Sequence, residues 1–138
     1  MRLAAQIGKH GLMPIIEPEV SIKSADKQAS EAILRDEIAR HLDALPAGTK
    51  VMLKLTIPTV PDFYQPLIDH KAVERVVALS GGYTRADACE KLRHNHGMIA
   101  SFSRALTEDL RVNMSDAEFD SSLGKTIGEI YKASVEKV

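Results

Sequence analysis

The chain has 138 residues, a mass of 15.1 kDa and a formal net charge of −1, from 18 basic and 19 acidic side chains. That length holds one domain, and the charge balance argues against nucleic acid or a membrane surface as a partner. One cysteine, Cys89, excludes a disulfide scaffold and a cysteine-rich zinc site, and the lack of tryptophan argues against stacking of bases.

Arg2 to Lys9 reads as the tail of a helix stopped by Gly11. Leu12-Met-Pro-Ile-Ile16 is the first of four short apolar runs and ends in Glu17-Pro18-Glu19. A helix is expected over about 25–45, with Leu34, Ile38, Leu42 and Leu45 on one face and Arg35, Asp36, Arg40 and His41 on the other. The second run, Val51-Met-Leu-Lys-Leu-Thr-Ile57, stops at Pro58, and a proline-bearing loop to Pro66 leaves room for one helical turn after it. The third, Arg75-Val-Val-Ala-Leu79, runs into Ser80-Gly81-Gly82. Thr84 then opens a helix, with Asp87 as a weak capping box and Ala88 and Leu92 on its buried side. The fourth run, Met98-Ile-Ala-Ser-Phe102, precedes a helix from Arg104 with Leu106 and Leu110 as an i, i+4 pair. Ser115 and Glu118 form a clear capping box for the last helix, whose buried stripe is expected to be Phe119, Leu123, Ile127 and Ile130, with Tyr131 beside it. No apolar run approaches the ~18 residues of a membrane span. Met1 to Gln6 is too short for a signal segment, so the cytoplasm is the expected compartment.

Short apolar runs bounded by turn residues fit buried parallel strands, and alternation with helices predicts βα units joined by crossovers. Four such units are half of a (β/α)8 TIM-type barrel, which takes ~250 residues. A doubly wound sheet is the other parallel solution, but it often carries a glycine-rich loop after its first strand. Here Glu17-Pro18-Glu19 stands in that place, so the expected class is an α/β half-barrel.

Lys54 is the strongest chemical feature. An ammonium inside an apolar strand is costly to bury, and desolvation would free the amine as a nucleophile. The competing reading is a structural lysine, paired with a buried acid or snorkelling at a strand end. Glu17 and Glu19 end the first strand, where barrel enzymes place their active-site mouth; without Lys54 they would read as solvated loop acids. Ser80-Gly81-Gly82 leads into a helix, so its backbone and the helix field suit an anion, although a tight βα turn needs the same residues. Arg104 could grip a phosphate in two-pronged fashion or form a surface ion pair. If these strands are the last four of eight, both features lie where barrel enzymes often bind phosphate. Gly124-Lys125-Thr126 lacks the first glycine of a P-loop, with Phe119 in its place, and His94-Asn95-His96 lacks the spacing of helical zinc ligands.

The segments Gly11-Leu-Met-Pro-Ile-Ile-Glu-Pro-Glu-Val20, Val51-Met-Leu-Lys-Leu55, Leu79-Ser-Gly-Gly82 and Ala100-Ser-Phe-Ser-Arg-Ala-Leu106 resemble, in order, the C-terminal half of class I fructose-bisphosphate aldolases of the bacterial type. The resemblance implies that residues 1–138 are the last four βα units of a barrel. It implies reversible cleavage of fructose 1,6-bisphosphate to dihydroxyacetone phosphate and glyceraldehyde 3-phosphate, in glycolysis and gluconeogenesis, with no cofactor and no metal. It makes Lys54 the Schiff-base lysine and Glu17 a proton-transfer group with Glu19 close by. It places Ser80, Gly81, Ser101 and Arg104 around a substrate phosphate. Ser103 departs from the glycine that precedes this arginine in animal-type members, and the family's first four strands supply an aspartate and lysines absent here. The chain is therefore expected to associate with itself or with a missing N-terminal half. Another Schiff-base aldolase, or an inactive half-barrel remnant, stays open as an alternative.

Overall fold

The computed structural model describes residues 2–138; Met1, where the expected absence of a signal segment begins, lies outside the described residues. Helices and strands follow as α1 (Arg2–Gly8), β1 (Ile15–Ile16), α2 (Lys27–Asp43), β2 (Val51–Thr56), α3 (Gln65–Ile68), β3 (Val73–Leu79), α4 (Arg85–Arg93), β4 (Met98–Ala100), α5 (Arg104–Thr107) and α6 (Asp116–Val135). The strands make one parallel sheet in the order β1-β2-β3-β4. Spatial order follows sequence order throughout, whereas a doubly wound sheet reverses at a switch point. The α/β sheet is thus compatible with half of a barrel wall.

The pairing register explains which side is covered. Leu53 lies beside Val76, which lies beside Met98, and Leu55 lies beside Ala78. These five side chains are at most 1% exposed and pack with Ile38 and Leu42 of α2, Leu67 of α3 and Ala88 and Leu92 of α4. Each large aliphatic group buried this way contributes about 1.5–3 kcal/mol. The alternate positions form the other face. Ile15 pairs with Met52, and Lys54 lies beside Val77, which lies beside Ile99. This face is covered less completely: Val77 is buried, but Ile15 is 45% exposed, and Met52, Lys54 and Ile99 are only partly buried.

Most predicted elements stand where the sequence puts them. Gly11 ends the first helical segment at φ +74°, Thr84 accepts the Asp87 N–H, and Ser115 and Glu118 complete their capping box. Three details differ. The first strand shrinks to Ile15–Ile16, with Leu12 and Met13 exposed; it has one neighbour only, and Pro14 has no N–H to donate. The helix at Arg104 ends at Thr107, so Leu106 and Leu110 do not form a helical pair; the chain leaves the helix where Glu108 accepts the Arg85 N–H at 2.8 Å and Asp109 meets the Arg85 guanidinium at 2.6 Å. The α6 stripe is only partly buried: Leu123 and Ile130 are half-buried, with Ile130 against the core, but the rest is not. Phe119, Ile127 and Tyr131 are 40%, 51% and 64% exposed, while Thr126 and Ala133 are the buried positions. Small side chains let α6 approach α4 and β4 closely, and its bulky flank instead lines an open groove of about 510 Å³ that runs past β4 to Lys54. No described helix is long and apolar enough to cross a membrane.

Candidate active site

The C-terminal ends of four parallel strands converge, and the residues that follow them meet in one cavity of about 180 Å³. Glu17 and Glu19 come from the loop after β1, Lys54 from β2, Ser80 and Gly81 from the turn after β3, and Ser101 and Arg104 from the segment after β4. All seven residues singled out in the sequence line it, together with Leu79 and Ser103.

Lys54 Nζ donates to Glu17 Oε2 at 3.0 Å. The Lys54 side chain is 28% exposed and Glu17 is 50% exposed. The expectation of a desolvated lysine is therefore corrected. β2 is fully buried on its helix side, whereas on the other side Thr56 is covered by the loop at Val20 but Met52 and Lys54 are only partly buried, and Lys54 points into a polar cleft.

The loop that carries the two glutamates is pinned twice. Thr56, two residues after Lys54 on the same side of β2, accepts the Val20 N–H at 3.0 Å and donates to Val20 O at 2.9 Å. Farther on, Ile22 lies over the Ser80-Gly81-Gly82 turn. Gly81 has φ +62°, and a Cβ there would come within 2.9 Å of Ile22 Cγ2. Glycine is required both for the left-handed backbone and for this approach.

The side of the cavity where the sequence led us to expect an anion is simpler than expected. Ser80 is 5% exposed, and a Cβ on Gly82 would stand 3.9 Å from an Arg104 guanidinium nitrogen, so Arg104 reaches the glycine turn. Among the described residues Arg104 makes no ion pair. The N-terminus of α4, by contrast, is occupied: Glu108 takes the Arg85 N–H, so the helix field expected to favour an anion there is already answered by a carboxylate. Ser80, Gly81, Ser101 and Arg104 all line the cavity on this side.

Two supporting features carry no direct sequence signal. Arg85 joins α4 to Asp109 at 2.6 Å and to Glu129 of α6 at 2.8 Å. Lys27 and Glu31 form a buried ion pair; Lys27 also donates to Ile57 O at 2.9 Å, and Glu31 accepts from the Thr59 N–H at 3.0 Å. That pair fixes the start of α2 beneath the end of the Lys54 strand. The His94-Asn95-His96 segment is a local brace. Asn95 is buried and accepts the Asp62 N–H at 3.1 Å, and His96 stands against Asp62 at 3.0 Å. Among the described residues no three His, Cys, Asp or Glu side chains form a group that could hold a metal ion.

The fold and the cavity define a βα-repeat protein with a lysine–carboxylate pair and a nearby arginine at the C-terminal ends of its strands. The comparisons fit this class. The chain is 54% identical over 133 residues to a class 1 fructose-bisphosphate aldolase of Clostridium acetobutylicum, covering 96% of this chain and 45% of that protein. It is 53% identical over 133 residues to a class 1 fructose-bisphosphate aldolase of a Synechocystis strain, covering 96% of this chain and 44% of that protein. No protein-family model matches. The chain is a sequence relative of the class 1 fructose-bisphosphate aldolases, and it spans about half the length of the curated relatives it matches.

Proposed function

We propose that the chain carries the imine-forming half of a class I aldolase site, equivalent to the last four βα units of a (β/α)8 barrel, acting on fructose 1,6-bisphosphate in cytoplasmic glycolysis and gluconeogenesis. The observation that carries this reading is the Lys54–Glu17 contact of 3.0 Å in the cavity that Arg104 and Ser80 also line.

The chemistry follows from those groups. The neutral Lys54 amine attacks the ketose carbonyl, and loss of water leaves a protonated imine. The C3–C4 bond breaks as its electron pair flows toward that imine, giving an enamine, while the C4 hydroxyl gives up its proton and leaves as the aldehyde. Glu17, beside the amine, relays protons in the addition and dehydration steps. Protonation of the enamine carbon and hydrolysis then release dihydroxyacetone phosphate and restore the amine. Arg104, with Ser80, Gly81 and Ser101, grips a substrate phosphate and holds the carbonyl near Lys54.

The open sheet face and the groove beside β4 support a second element of the proposal: the chain works against another half, either a copy of itself or an N-terminal partner segment. Incubation with dihydroxyacetone phosphate and borohydride tests the reading. One reduced adduct per chain by intact mass supports it, and no adduct at saturating ketose phosphate contradicts it.

A further inference from the structure

We propose that Thr56 is a positioning residue that sets Glu17 against Lys54; the proposal rests on reading that pair as the reacting centre. Thr56 is 1% exposed, and its hydroxyl is fully engaged by one residue of the neighbouring loop: it accepts the Val20 N–H at 3.0 Å and donates to Val20 O at 2.9 Å. A hydroxyl that satisfies both backbone groups of one residue across 36 positions of sequence does the work of a missing strand pairing. The ladder between β1 and β2 stops at Ile16–Leu53, so the loop beyond it has no sheet bonds to fix its path. Thr56 replaces them three residues beyond Glu17, and Pro18 limits the freedom of the chain between. Thr56 and Lys54 are i and i+2 on one strand, so the clamp and the amine share one rigid support.

The same loop then passes Ile22 over Gly81, 2.9 Å from the position a Cβ would take. The clamp at Val20 thus also fixes where the acidic loop meets the glycine turn of the cavity. Thr56 touches no reacting atom in this arrangement; it acts through Val20 and Glu17.

The test is site-resolved acylation of lysines in the folded chain without substrate, read by peptide mass spectrometry. Pairing with a carboxylate shields an amine, so Glu17→Gln should raise Lys54 labelling about twofold to fivefold, the range expected for a partly exposed ion pair. Thr56→Val keeps the branched shape but removes both hydrogen bonds, and it should raise Lys54 labelling as much as Glu17→Gln does. Thr56→Ser keeps the hydroxyl and should match the parent. Buried Lys27 is the internal control for unfolding, and Thr56→Ala is run beside Thr56→Val in case the latter is poorly folded. Increased labelling at Lys54 alone, restored by serine, supports positioning. Increased labelling at Lys27 as well in both hydroxyl-free variants makes Thr56 a general structural residue and overturns the proposal. Unchanged Lys54 labelling in folded Thr56→Val or Thr56→Ala overturns it too. These readouts need no imine, so a failure here is separate from failure of borohydride trapping.

Discussion

Lys54 and Glu17 are 37 residues apart in sequence and 3.0 Å apart in space, each at the mouth of a different parallel strand. The contact converts a surface carboxylate into a group poised over the one lysine inside an apolar strand. Glu17→Gln should therefore slow imine trapping at Lys54 by about 10²–10⁴-fold, the range for a positioned acid–base group. Phosphate affinity should stay within twofold. A variant that loses phosphate binding and trapping together would place Glu17 in structure rather than in proton transfer.

Arg104 lines the cavity beside the glycine turn and, among the described residues, makes no ion pair. Arg104→Ala should weaken dihydroxyacetone phosphate binding by about 1.5–3 kcal/mol, as for loss of a charge-assisted hydrogen bond. Titration calorimetry reads the change. Equal affinity in the variant removes Arg104 from the site.

Lys27 and Glu31 are 10% and 1% exposed in their side chains, so removing one partner strands the other charge. Lys27→Met should destabilise the chain by about 3–5 kcal/mol, read from urea denaturation. The double variant Lys27→Met with Glu31→Leu should recover much of that loss. A double variant as unstable as the single one would contradict the assignment.

Lys137 donates to the carbonyls of Leu92, Met98 and Ala133, and burial pushes its amine down to about 8. An unfolded lysine holds its proton up to about 10.4. Between those values the unfolded state binds more protons, so this residue makes stability rise with pH. The contribution is complete above the unfolded value and is lost as pH falls through 8. Thermal melts from pH 7 to 10.5 should show a steeper rise for the parent than for Lys137→Met, and parallel curves would exclude the linkage.

The open face predicts association. Ile15, Ile127 and Tyr131 are exposed beside the uncovered side of the sheet. Light scattering at micromolar concentration should show a dimer or larger species. A 15.1 kDa monomer that melts cooperatively would show that the face is stable when bare.

The element order and the site were legible for a shared reason. Apolar runs such as Val51–Ile57 mark strands locally, and in a parallel sheet their C-terminal ends all lie on one side. Glu17, Lys54, Ser80 and Arg104 could therefore be placed together without any contact being known. What remained hidden depends on what covers a surface. An apolar run around Lys54 reads as burial on both sides, yet on Lys54's own side of β2 both Met52 and Lys54 stay partly exposed. The Phe119, Leu123, Ile127 and Ile130 stripe has the right period for a core, but periodicity states that a face is apolar and not what lies against it. The clamp from Thr56 to Val20, and the grip of Arg85 on Asp109 and Glu129, pair residues 24 to 44 positions apart through single polar groups. No local pattern encodes such pairings.

The central claim is that Lys54 forms the covalent bond to a ketose phosphate. Its most direct test is peptide mapping after treatment with dihydroxyacetone phosphate and borohydride, in the chain and in Lys54→Met, which keeps much of the side-chain volume. The account predicts a single reduced adduct on Lys54 that vanishes in the variant. Labelling spread over surface lysines such as Lys23 and Lys132, or retained in Lys54→Met, would contradict it.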